Sequence, residues 1–179
     1  MRRVVVTASL AAACAAVAAS LSACSLQTDV NPSGGGGSPT QAPALAAATL
    51  SGGRFDLASA RGHPVVIDFW ASWCAPCRAE QGELNGVVSA YGTRGVVFVG
   101  VLMRDSAANA LAYEHDLKVG YPSVNDADES IAADYNVAAP PTVVVVDKAG
   151  RIVDRFLGSL DNGAGGVTLR AELDRVLRG

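Results

Sequence analysis

From about residue 50 onward the chain alternates between short apolar runs and longer amphipathic stretches. Val65 to Trp70 is apolar and β-branched except at Asp68; Val96 to Val101 and Thr142 to Val146 are two further runs of the same kind. Apolar runs of this length without alternation predict strands buried on both faces. Between them the period changes. Leu84, Val87, Val88 and Tyr91 fall at i, i+3, i+4 and i+7, which predicts a helix from Pro76 to about Tyr91. Pro76 suits its first turn, and Gly82 and Gly86 weaken it. Asp105 or Ser106 can cap a second helix running to about Leu117. Asp128 to Tyr135 reads as a short helix and Thr168 to Leu177 as a closing amphipathic one. Arg54 to Leu57 is a weak first strand, and Val124 belongs to a short one. Lys148-Ala149-Gly150 turns the Thr142 strand back into an antiparallel partner from Arg151 to Phe156. A βαβ start, a hairpin and a final helix predict an α/β domain over residues 50–179, with a mixed central sheet flanked by helices.

The first half-hundred residues have a different composition. Arg2-Arg3 precede an Ala/Val/Leu-rich stretch from Val4 to about Leu21, followed by small residues up to Cys24. This is the layout of an export signal, expected over residues 1–23. The run Leu21-Ser22-Ala23-Cys24 resembles the lipobox of bacterial lipoproteins, which implies lipidation of Cys24 and an extracytoplasmic domain anchored to the cell membrane. A plain cleaved signal or an uncleaved anchor is the other reading of the same stretch. Residues 24–49 are rich in Gly, Ser, Pro and Ala, and are expected to form a disordered tether with a reach of ~25–30 Å.

The formal net charge of −3 and the lack of a basic patch argue against a nucleic-acid partner. Nothing in the sequence argues against a monomer. Of four cysteines, Cys14 lies within the signal and Cys24 at its end. That leaves Cys74 and Cys77, which can pair with each other.

These two cysteines stand in Asp68-Phe69-Trp70-Ala71-Ser72-Trp73-Cys74-Ala75-Pro76-Cys77, at a predicted strand-to-helix junction. The spacing allows a dithiol to cycle with a disulfide, and a helix N-terminus favours the thiolate of Cys74. A structural zinc site needs about four ligands. His63 and His115 lack ligand spacing to the pair, so no metal is expected. A static disulfide remains open. Asp68 lies within an apolar strand, where desolvation should raise its pKa. Glu80 shares a helical face with Cys77 and Leu84, or else merely complements the helix dipole from the first turn. Trp70 reads as core and Trp73 as an exposed platform.

Trp73-Cys74-Ala75-Pro76-Cys77 resembles the active-site motif of the thioredoxin superfamily. Tyr121-Pro122, Tyr135-Asn136-Val137, Pro141-Thr142 and Asp147-Lys148-Ala149-Gly150-Arg151 follow in the order of its TlpA/ResA-like membrane-anchored branch. The helix near Asp105–Leu117 looks like that branch's insertion. The resemblance implies a thioredoxin-like fold and a thiol–disulfide oxidoreductase with no cofactor beyond the Cys74–Cys77 pair. It makes Cys74 the nucleophile, Cys77 the resolving thiol, and Asp68 and Glu80 the proton-handling carboxyls. Trp73, Pro76 and a cis-Pro141 would form the docking surface for substrate. Asp68 departs from the branch towards thioredoxin, and Gly82 stands where the branch often has proline. The implied task is reduction of disulfides in exported proteins, apocytochrome c among them, with electrons from a membrane thiol carrier. The alternatives are a thiol oxidase that forms disulfides in secreted proteins and, in another class, a non-enzymatic copper chaperone. A thiol peroxidase fits less well, because the Thr/Ser pattern ahead of a lone cysteine is absent.

Overall fold

The three apolar runs form the middle of one sheet. The computed structural model describes residues 39–160 and 165–179. Among these, the elements in chain order are β1 (Thr40–Gln41), β2 (Ala46–Ala48), β3 (Arg54–Asp56), a 3-10 turn (Leu57–Ala60), β4 (Val65–Trp70), α1 (Ala75–Gly92), β5 (Val97–Met103), α2 (Ala107–Leu117), β6 (Ser123–Asp126), α3 (Ser130–Asp134), β7 (Thr142–Val146), β8 (Arg151–Leu157) and α4 (Gly165–Arg178). The main sheet has the order β1-β8-β7-β4-β5-β6. β4, β5 and β6 run parallel, while β7 returns antiparallel beside β4 and β8 beside β7. This is the mixed, helix-flanked sheet that the alternating pattern predicts.

β4 is buried along its whole length because both faces are covered. Val65, Ile67 and Phe69 pack with Val99, Val101, Val144, Val146 and Tyr135 on one side. Val66 packs on the other side with Val143, Val145, Leu84 and Val87, and with Leu169 and Leu173 of α4. Trp70, on the Val66 side, closes a third cluster with Ala71, both cysteines, Leu102 and Tyr113. Asp68 sits between Val66 and Trp70 and shares their face by the two-residue period of a strand.

The domain begins earlier than the composition suggests. Thr40 pairs with Ile152, Ala46–Ala48 pair with β3, and Ala42 and Leu45 are buried in the first cluster. The Tyr135 hydroxyl also donates to the Pro43 carbonyl, at 2.8 Å. Residues 39–49, expected to be tether, therefore belong to the fold. Alanines are small enough to lie flat against a sheet, so this segment covers apolar surface with little side-chain volume of its own. The expected signal, Cys24 and the tether up to residue 38 lie outside the described residues. Among the described residues no helix is long and apolar enough to cross a membrane.

Smaller differences are local. The first helix starts one residue before Pro76, and Ser106 rather than Asp105 caps α2, its hydroxyl accepting from the Asn109 N–H. The last strand and last helix each extend slightly past the predicted ends.

Gly100 stands opposite Asp68 on β5. A Cβ placed there would lie 2.5 Å from Ser123 Oγ and 2.6 Å from Trp70 Nε1. The indole of Trp70 can therefore lie over β5 only where position 100 has no side chain. Gly100→Ala is expected to lower stability by about 1–3 kcal/mol, the usual cost of overpacking. Urea unfolding monitored by tryptophan fluorescence measures this; an unchanged midpoint would show that the ring shifts freely.

Candidate active site

β4 ends at Trp70, and the chain crosses Ala71–Trp73 before α1 begins. Cys74 is the N-cap, with its sulfur accepting from the Cys77 N–H at 3.2 Å, and Pro76 lies in the first turn. Cys74 and Cys77 form a disulfide with a Cα–Cα separation of 5.3 Å. Both are buried, while Ala75 and Pro76 between them are exposed. The capping position places the first sulfur among the unpaired N–H groups of the helix, the environment that stabilises a thiolate.

The loop leading to Cys74 is held from the β5–α2 connection. Asp105 Oδ2 accepts from the Ser72 N–H at 2.7 Å, and the Arg104 carbonyl accepts from Trp73 Nε1 at 3.0 Å. Partial burial opposes the Asp105 charge, but hydrogen bonds from Ser72, Ser106 and Asn109 hold its carboxyl below the ordinary range. The Arg104 guanidinium lies 5.8 Å from the Trp73 ring and pairs with Glu129 at 2.8 Å. In the sequence Asp105 stands out only as a candidate helix cap, and Arg104 not at all. The clamp joins residues over thirty positions apart, so no local pattern announces it.

Trp73 is 55% exposed, as a platform requires, and Trp70 is core. The Pro140–Pro141 peptide is cis. Because Thr142 pairs with Phe69, Pro141 lies at the same end of the sheet as the cysteine loop. Pro141 is itself buried, and its carbonyl accepts from the Gly158 N–H at 3.0 Å. Leu157, opposite Thr142 at this end, is 70% exposed. It adds an apolar group that the sequence pattern did not single out.

The two candidate carboxyls lie in different settings. Glu80 is buried beside Cys77 and Leu84 on the inner face of α1, and its Oε2 accepts from the Leu160 N–H at 2.6 Å. It thus ties the active-site helix to the segment after β8. Asp68 is buried in β4, and its Oδ2 accepts from the Tyr121 hydroxyl at 2.7 Å. Burial raises its pKa to about 7, against the opposing effect of the Tyr121 hydrogen bond. Tyr121 in turn meets Gln81, which meets Tyr113 of α2. Gln81 sits four residues after Cys77 on the same helical face, a spacing that marks it as inward-facing though polar. Among the described residues no cluster of three or more His, Cys, Asp or Glu side chains is placed to hold a metal ion.

Residues 39–155 match the model of the AhpC/TSA family. The chain belongs to that family. Among curated relatives it is 34% identical to the thioredoxin-like protein YneN of Bacillus subtilis, over 67% of this chain and 71% of that one. It is 28% identical to the thiol-disulfide oxidoreductase ResA of Bacillus cereus, over 66% of this chain and 68% of that one. Among solved structures it resembles a secreted Mycobacterium tuberculosis disulfide oxidoreductase homologous to E. coli DsbE. The TM-score is 0.62 and the identity 30%, over 73% of this chain and 95% of that one. Within this thioredoxin-like, ResA-like group the chain is a thiol–disulfide oxidoreductase, and Cys74-Ala75-Pro76-Cys77 is its dithiol motif.

Asp68 also links stability to pH. A carboxyl with a pKa near 7 when folded and about 4 when unfolded holds a proton that the unfolded chain has released. Stability therefore falls as pH rises from about 4 through about 7, by about 4 kcal/mol at most. The oxidised Asp68→Asn variant is expected to exceed the parent in stability by about 2–4 kcal/mol at pH 8, the difference shrinking towards pH 4. Denaturant melts across this range measure it; parallel pH profiles for the two proteins would refute the linkage.

Proposed function

We propose that this protein is an extracytoplasmic, lipid-tethered enzyme that reduces disulfides in exported proteins. The observation that carries the thiol chemistry is the Cys74–Cys77 pair at the N-terminus of α1, the helix packed on the face of β4 that holds the buried Asp68. In the reduced enzyme, Cys74 as thiolate attacks a substrate disulfide. A bond forms between Cys74 Sγ and one substrate sulfur, and the other leaves as a thiolate and takes up a proton. Asp68 accepts the Cys77 proton, and the Cys77 thiolate attacks Cys74 Sγ. That step closes the Cys74–Cys77 disulfide and releases the second substrate thiol. Two electrons pass to the substrate, and a membrane thiol carrier returns them to the enzyme.

Reduction is favoured over oxidation by charge. Strong oxidants stabilise their reduced, thiolate form. Here Asp68, once ionised above about pH 7, opposes a thiolate on the same side of the sheet, while the Arg78 guanidinium lies over the Tyr113 ring at 4.9 Å. Trp73, Pro76 and Leu157, exposed at the sheet end where the buried cis-Pro141 shapes the backbone, form the docking surface for an extended peptide carrying the target cysteines, such as the pair of apocytochrome c. The lipid on Cys24 and the Gly/Ser/Pro-rich segment after it keep this surface near the membrane.

Two variants and one potential test the reading. Cys74→Ser is expected to abolish exchange, and Cys77→Ser to accumulate mixed disulfides with exported proteins, recovered by non-reducing electrophoresis. Titration against glutathione or dithiothreitol should place the pair well below about −150 mV, on the reductant side. A value above that would reverse the proposed direction of electron flow.

A further inference from the structure

The hydrogen bonds around Asp68 form a chain whose direction is set at its far end. The Leu117 carbonyl, at the C-terminus of α2, can only accept, and Asn85 Nδ2 donates to it at 2.8 Å. That contact turns Asn85 Oδ1 towards Gln81, whose Nε2 donates to it at 3.0 Å. The Gln81 amide is thereby oriented, with Nε2 also 3.3 Å from the Tyr121 oxygen and Oε1 accepting from the Tyr113 hydroxyl at 3.3 Å. With its oxygen receiving from Gln81, Tyr121 has one proton to give. Asp68 Oδ2 at 2.7 Å takes it in preference to Gln81 Oε1 at 3.5 Å.

Asp68 Oδ2 is therefore an acceptor whether or not the carboxyl is protonated. Asp68 Oδ1 is buried with no hydrogen-bond partner among the described residues. We propose that Tyr121 is a positioning residue for the dithiol reaction: oriented by Gln81 and Asn85, it occupies Asp68 Oδ2 and leaves Oδ1 as the atom that takes and returns the Cys77 proton. This rests on the reading of Asp68 as proton acceptor. Among the described residues, the titratable and charged groups on this side of the sheet include Cys74, Cys77, Arg78, Glu80 and Tyr91 from α1, Tyr113 and Glu114 from α2, and Tyr121 from the loop before β6. β5 and β7 present Gly100 and Val143 directly beside Asp68, so the adjacent strands place no charge next to it.

The test is the pH profile of disulfide reduction by the full chain as wild type, Asp68→Asn, Tyr121→Phe, the double variant and Asn85→Ala. Losing a hydrogen bond to a charged acceptor should move the Asp68 inflection of Tyr121→Phe upward by roughly 1–2 pH units, with a tenfold or greater loss of rate below it. Asn85→Ala should move it the same way by less than about 1 unit, because Tyr121 keeps its hydroxyl but loses its orientation. In the Asp68→Asn background, Tyr121→Phe should change nothing further. If Asp68→Asn leaves the wild-type profile intact, the proton-acceptor reading fails. If Asp68→Asn removes the inflection but Tyr121→Phe leaves it in place, the positioning role of Tyr121 is overturned while that reading stands. Should Tyr121→Phe not fold, Asn85→Ala decides: an unmoved inflection overturns the proposal.

Discussion

The structure is organised around a carboxyl buried in its central strand. Asp68 lies between Val66 and Trp70 on a strand with no exposed residue, covered by the helix that carries the cysteines. Burial of an ionisable group this deep opposes stability once the group is charged. Much of the neighbourhood follows from accommodating it. Tyr121 supplies one strong hydrogen bond, Gly100 leaves room on the adjacent strand, and Gln81 turns a polar side chain inward from the buried face of α1. A carboxyl held near neutrality by its surroundings can exchange a proton with a thiol at working pH, which a surface aspartate cannot do efficiently. The same burial thus weakens the fold at alkaline pH and suits the group to the proton transfer proposed for it.

The legible parts of the fold are those written in local patterns. The limits of β4 and β7 coincide with the apolar runs from Val65 to Trp70 and from Thr142 to Val146, because a strand buried on both faces must be apolar at every position that does not carry chemistry. The one exception in β4 was the informative residue. Pro76 and the cysteine cap marked the start of α1 for reasons equally local. Residues 39–49 were misread because Ala and Pro carry no periodic signal; their burial depends on a surface formed by strands about a hundred residues away. Glu80 was placed on the inner face by its spacing from Cys77, but its bond to the Leu160 N–H joins residues eighty positions apart and leaves no trace in either segment. Trp73 was read as exposed from its place beside the motif, whereas Leu157 needed the β7–β8 register to bring it to the same end of the sheet.

The helix between β5 and β6 touches the site at two places by two different means. Its entry loop grips the cysteine approach from outside, through Asp105 on the Ser72 N–H and the Arg104 carbonyl on the Trp73 indole. Its far end supplies the Leu117 carbonyl and the Tyr113 hydroxyl that orient Asn85 and Gln81 inside. Arg104 and Lys118, which flank the helix, both have positive φ, so the chain turns sharply into and out of it. An insertion that merely lengthened the βαβ crossover would need neither contact. Because α2 holds the loop before Cys74 with one end and the Asp68 network with the other, a shift of this helix would alter the approach to Cys74 and the geometry of the Asp68 carboxyl together. That coupling makes α2 part of the redox site, although none of its side chains reacts.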